Sequence, residues 1–465
     1  MNIQMIRSTM LAIGALLYSV AIPARATTIT VTNTNDPGPG SLRQALADAN
    51  DGDSINFAVT GTIVLTNGEL LVDKSVTISG PGSASLAVDG NTTNRVFHIG
   101  TGKTVSISDL TVTHGNVFFG NGGGILNDHA ILTMDSCVVQ NSGSNLGGGV
   151  YNDGSDGSAA LTILNSTVSM NGATSGGGGI YNEDHNSGTA TLTITNSIVS
   201  NNAVGFADNF PPGSEGGGVY NGTGIMTITR SSVSGNTAGV SGPNFPTGVG
   251  GGISNYGTLT IINSTIDSNQ CWDNGGGISN SGTLTITNST VSSNGATGQH
   301  DGEPWGHGGG IVGEVTLTNS TVSSNYASLS AGGIEGGGVI RNTLLNNNSG
   351  ANITGTIKSL GYNLSSDDGG GNLTGPGDQI NTDPMIGPLQ DNGGPTLTYA
   401  LLPGSPAINA GDPNFTPPPF NDQRGAPFVR VFRGRIDIGS FEAQIPPRPT
   451  PAPRPRPTPQ PRPKG

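Results

Sequence analysis

Residues 275–294 read GGGISNSGTLTITNSTVSSN, with no charge, no aromatic ring and only four large apolar side chains, Ile278, Leu284, Ile286 and Val291. Nearly the same string recurs along the chain. GGGILN (122–127), GGGVYN (147–152), GGGIYN (177–182), GGGVYN (216–221), GGGISN (250–255), GGGISN (275–280) and GGGIVG (308–313) each open a unit. An alternating stretch follows (LTM, LTI, LTI, MTI, LTI, LTI, VTL), and most units then carry a segment of the Asn-Ser-Thr-Val type. Starts at 122 and 147, and at 250 and 275, lie 25 residues apart, and longer spacings are this unit plus insertions at fixed places.

A fixed period with insertions at fixed points is the mark of a stacked architecture. Helical repeats are excluded because Thr, Val, Ile and Ser alternate with period two, the pattern of strands. A propeller blade needs roughly 40–50 residues, more than the shortest unit offers. The spacing therefore predicts an all-β, single-stranded right-handed parallel β-helix, a solenoid of three short strands per coil; the hand follows from the right-handed rule for parallel crossovers. Only every second side chain of a strand points inward, so one apolar residue in the GGGI/V strand, two in LTI and one in STV suffice. Each coil lays these over those of the last.

Glycines suit tight corners because they take positive φ without strain. Asparagines at 127, 152, 182, 221, 255 and 280, and separately at 165, 196, 263, 288 and 319, are expected to stack as amide ladders. Cys137, taken to stand at the Thr of NST, and Cys271, assigned to a loop, fall about five coils apart. At ~4.8 Å per coil they cannot meet the ~4.4–6.8 Å Cα spacing of a disulfide.

Residues 1–26 have the form of a secretory signal peptide: Arg7, an apolar core at 10–22, and Ala24-Arg25-Ala26 before Thr27. That core is shorter than a membrane span, and no transmembrane segment is expected in the mature chain. The solenoid is assigned to 27–345. It opens on a capping helix, SLRQALADAN (41–50), with Ser41 and Gln44 as a capping box. Residues 346–443, richer in Pro and Asp, are assigned to the other end. The Pro/Arg-rich stretch 444–465 is expected to form an extended polyproline rod, free or engaged with polyanions.

GYNLSSDDGG (361–370), DPMIGPLQDNGGPTLTYALLPGSPAINAG (383–411), DQRGAP (422–427) and GRIDIGSFE (434–442) resemble the bacterial choice-of-anchor Q domain proteins. The opening TVTNTNDPGPGSLRQALADANDGDSINF (30–57) is similar to the starts of those proteins. More loosely, the coils resemble polymorphic outer-membrane protein repeats and the pectate-lyase-like superfamily. The resemblance implies a right-handed β-helix on an exported, surface-associated bacterial protein, and it brings no catalytic residues.

The chain has 31 acidic against 18 basic residues. Five of the bases, Arg448, Arg454, Arg456, Arg462 and Lys464, lie in the tail, so the body is more acidic still. Such a surface repels phosphate backbones, which excludes nucleic acid as a partner. Between 116 and 340 the only Lys or Arg is Arg230, a poor set for a lyase that must hold an acidic sugar.

Insertions between SxxN and the next GGG collect on one edge: 201–215, 236–249, 269–274 and 294–307. They carry Trp272, Trp305, Phe206, Phe210 and Phe245 beside Asp273, Asp301 and Glu303. Rings against sugar C–H faces and carboxylates for hydroxyls would make a binding face for an extracellular or envelope polysaccharide; the same rings could instead pin the loops to the cylinder. The preferred function is a non-catalytic binding or adhesion module, a monomer without a catalytic site. The alternative is a polysaccharide-degrading enzyme using paired acids, with Asp208, Glu215 and Asp267 adding to the pool. No cofactor is expected, with weakly held calcium at Asp153/Asp156 or Glu183-Asp184 as the exception. A transition-metal site at His300, Asp301, Glu303 and His307 lacks the HExxH spacing.

Overall fold

In the computed structural model, residues 26–205, 214–239, 248–300 and 303–444 are described. Consecutive units wind into a right-handed parallel β-helix in which every repeat pairs in register with the next. Ile253 lies over Ile278, Leu259 over Leu284, Ile261 over Ile286 and Ile266 over Val291. These side chains are all buried, 2% exposed at most. Among the described residues no helix is long and apolar enough to cross a membrane.

Each central coil has four strands where the sequence predicts three. One coil runs Ile253–Asn255, Thr258–Ile262, Thr265–Asp267 and Gln270–Cys271. The fourth strand escaped notice because in the later coils it is two residues long, and apart from Val204 its inward side chains are small. Its inward positions are Ala173, Val204, Ala238, Cys271, Ala296 and Ala327, a buried column of small side chains. Cys271 is therefore a strand residue packed among alanines, not a loop residue. Cys137 is also reassigned: its backbone N–H donates to Ser166 Oγ, so it stands in the serine position of the motif, one residue before the predicted threonine. Both thiols are free and buried.

Stacking places the glycine runs where no side chain fits. Gly275 has φ 69°, and a Cβ on Gly277 would sit 2.6 Å from the Gly310 carbonyl oxygen. The predicted amide ladder is present: Asn127, Asn152, Asn182, Asn221 and Asn255 each donate Nδ2 to Oδ1 of the next member, at 2.6–2.7 Å, ending on Asn280. The second predicted ladder is broken. Its members sit at left-handed corners, and Arg230 takes one place, donating Nε to Asn196 Oδ1 at 3.0 Å. A ladder the sequence did not suggest is more regular. Asn171, Asn202, Asn236, Asn269, Asn294 and Asn325, the last residues of the Asn-Ser-Thr-Val segments or their equivalents, each donate both backbone N–H and Nδ2 to Oδ1 of the next.

The helix is Leu42–Asp48, capped by Ser41 Oγ accepting from Gln44 N–H. Only half of the predicted capping box forms, because the Gln44 side chain donates to Asp48 instead. Leu42, Ala45 and Leu46 are buried in the main core. At the other end, parallel pairing continues to Leu364–Ser365. The chain then folds back along the Thr-Val-Ser strands. Gln423 reaches the Thr265 and Thr290 hydroxyls at 2.8 and 2.6 Å, and Tyr399 meets Ser292 at 2.6 Å. Arg424 pairs with Asp422 and lies between the rings of Phe428 and Phe441, 3.7 and 3.8 Å from their centroids.

Candidate functional site: the insertion flank

Register between coils fixes where each excursion emerges. Asn121 pairs with Leu146, Leu146 with Gly176, Gly176 with Glu215 and Glu215 with Val249. On the other side of each insertion, Val204 pairs with Ala238, Ala238 with Cys271 and Cys271 with Ala296. All the insertions between these landmarks thus leave the cylinder at one flank. Phe206, Phe210, Phe245 and Asp301, predicted there, lie outside the described residues, as does the His300 side chain.

The structure brings Trp272, Asp273 and Trp305 together and gives the two indoles different surroundings. Trp305 is 46% exposed, held by its N–H on the Gly298 carbonyl, and its side chain hydrogen-bonds Asp273. Trp272 is half-buried with Gly239 and Gly298 packed on it; a Cβ on Gly298 would meet its Cδ1 at 3.0 Å. Its Nε1 is buried with no hydrogen-bond partner among the described residues. Trp272 is thus packed against its neighbours, while Trp305 is displayed. Burial pushes the Asp273 carboxyl above its usual range, and His307 and Trp305 pull it partly back. Glu303 is exposed on the short hairpin Gln299–His300 with Glu303–Pro304. His307 lies with Nδ1 3.1 Å from Glu335.

The sequence missed a tyrosine column at the root of this flank. Tyr151, Tyr181 and Tyr220 stack with centroids 5.4 and 4.2 Å apart, and Tyr256 tilts against Tyr220 at 5.7 Å. Its signal was available: three of the GGG units carry Tyr at the same place, two residues after the last glycine. Glu215 lies beside this column, taking hydrogen bonds from Tyr256 and Ser254, and burial raises its carboxyl. A part-buried acid beside phenols can act as a proton donor. Glu215 pairs with Val249, and Asp273 donates its N–H to the Gly248 carbonyl, the bond a parallel partner of Val249 makes, so the two acids fall two coils apart along this flank. Asp267 is buried in its strand with a raised carboxyl.

Three of the four acids named as calcium candidates accept internal hydrogen bonds, and Asp156 is exposed. Asp184 accepts from Thr223 N–H and Oγ, Glu183 from His185, and Asp153 from Ser155. The grouping among the described residues that could hold a cation is Asp128, His129 and Asp153, with one ligand atom each within 4.8 Å of the others. Both His129 ring nitrogens already face acceptors, Asp128 Oδ1 and the Ser155 carbonyl. An imidazole so placed binds a second proton, and its pKa is raised; a metal would have to displace it. A concavity of about 540 Å³ lies at the opposite end of the fourth strands, lined by His114, Asn116, Asn141, Met170 and Asn201.

No protein-family profile matches the chain, and no curated protein does. Among solved structures it is similar to pectate lyase Pel9A, with 14% identity over 90% of this chain and 96% of that one and a TM-score of 0.46. It is also similar to the PL6 family alginate lyase AlyGC, with 16% identity over 80% of this chain and 55% of that one and a TM-score of 0.36. Likeness at this level assigns no residue a role.

Proposed function

We propose that the protein is an exported, non-catalytic module that binds polysaccharide through its insertion flank, with Trp305 as the principal contact and Asp273 beside it. The observation that carries this reading is the half-exposed Trp305 indole fixed next to an acceptor on the flank where the insertions emerge. A ring of this kind offers an apolar face to sugar C–H groups, and the carboxyl accepts from hydroxyls. Glu303 and, in the insertions outside the described residues, Phe206, Phe210, Phe245 and Asp301 would extend the same face. Secretion rests on residues 1–26, and surface association on the choice-of-anchor Q resemblance. Calcium has no part in this reading.

A second reading, glycan cleavage, draws on the raised carboxyl of Glu215 beside Tyr256. Screening the mature chain against a glycan array, with a reducing-end assay in parallel, separates the two. Binding without product release, lost in Trp305→Ala and kept in Glu215→Gln, supports the binding module. Turnover that Glu215→Gln abolishes establishes the enzyme instead.

A further inference from the structure

On the same flank, at the earliest of these coils, the strand Asn116–Asn121 carries its own excursion. It pairs with Gly143–Leu146 at Asn116, Val117 and Asn121, and the residues between bulge outward. Phe118 and Phe119 occupy that bulge, edge to face with centroids 4.8 Å apart, and Phe119 is 92% exposed. An aromatic ring so fully in water is costly unless something covers it.

The neighbouring coils say what kind of occupant fits. One coil along, the same column holds Asn145, and the next holds Thr174 and Ser175, whose hydroxyls both donate to Asn145 Oδ1 at 2.8 and 2.9 Å. The amide is thus oriented with its oxygen toward the hydroxyls. Rings beside fixed amides and hydroxyls alternate apolar and polar along the axis, as the faces and edges of sugar rings do. The nearest base, Arg95, is already ion-paired with Glu69 and bound to the Asn121 and Gly122 carbonyls. No free cation among these residues awaits an acidic sugar.

Resting on the proposed glycan-binding function, we propose that Phe118 and Phe119 form a second sugar platform, so that one uncharged, linear polysaccharide lies along the helix axis and spans both sites. Phe119 stands five coil steps from Trp272 and six from Trp305, roughly 24–29 Å at ~4.8 Å per coil. Long chains reach both platforms and gain from their linkage, whereas short oligosaccharides occupy one.

Affinity electrophoresis tests this with soluble mixed-linkage β-glucan, xyloglucan and galactomannan as neutral polymers and polygalacturonate and alginate as acidic ones. Titrations of oligosaccharides cut from any retarding polymer accompany it. Expected are retardation by a neutral polymer and roughly tenfold weaker polymer binding in Phe119→Ala, the loss of one good contact. A short oligosaccharide should bind the variant and the native chain alike, and Trp305→Ala should weaken both ligands. Polymer binding unchanged in Phe119→Ala overturns the second platform and leaves the Trp305 site standing. Equal losses for short and long ligands overturn the spanning geometry, and retardation by acidic polymers alone overturns the ligand class. No binding to any polymer removes this inference together with the function it rests on.

Discussion

At the scale of single residues, the asparagines closing the Asn-Ser-Thr-Val segments hold more of the fold than their polarity suggests. Asn236 Oδ1 accepts both N–H groups of Asn202, while its Nδ2 donates to Asn269 Oδ1 and the Val199 carbonyl. All of this is buried. Asn236→Ala strands the two Asn202 donors and removes one hydrogen bond each from the Val199 carbonyl of that same coil and from Asn269 on the next, so urea unfolding should show a loss of ~2–4 kcal/mol, from ~1–3 kcal/mol per orphaned group. A change below ~0.5 kcal/mol would mean that water replaces the ladder. The ladder's letter pattern was in plain view at 171, 202, 269 and 294, yet an Asn at a corner and an Asn in a wall look alike until φ separates them. Asn165 is left-handed with φ 47°, whereas Asn171 is not.

At the scale of elements, strands with large apolar side chains were legible and the two-residue strand was not. Leu259 and Leu284 announce themselves by alternation; Cys271 and Ala296 carry no such signal, and only stacking makes them a wall. Site residues followed the same division. Trp305 and Asp273 could be picked from composition and insertion position, whereas Glu215 needed the tyrosines beside it. The C-terminal fold-back was recognisable as motifs but not as an interface. Those motifs build a buried ionic cluster: Asp422 with Arg424, and Arg430, Asp437 and Glu442 packed nearby. Burial, then the Asp437 charge, pushes the Glu442 carboxyl up to about 8. A carboxyl raised on folding holds its proton in the native state, so its contribution is complete below about 4.5. It declines as pH rises through about 8. The melting temperature of the native chain should therefore fall between pH 5 and 8.5, and the slope should be shallower in Glu442→Gln. Parallel slopes for both would place the pH dependence elsewhere.

At the scale of the whole molecule, one rule, that each coil repeats the last, both builds the core and sorts the surface. Twelve strands of the Thr-Val-Ser wall pair in sequence, a stack of roughly 50 Å at ~4.8 Å per step. The C-terminal fold-back lies on that wall, while insertions leave at another edge, so one flank stays available to a long ligand. With two tryptophans in the chain, Trp272→Phe leaves Trp305 as the sole indole reporter. Titrating this variant with a neutral polymer that retards the native chain should shift its emission to the blue, saturably, as the half-exposed ring is covered. Emission that stays fixed while co-sedimentation shows the polymer bound would put the binding surface somewhere other than Trp305.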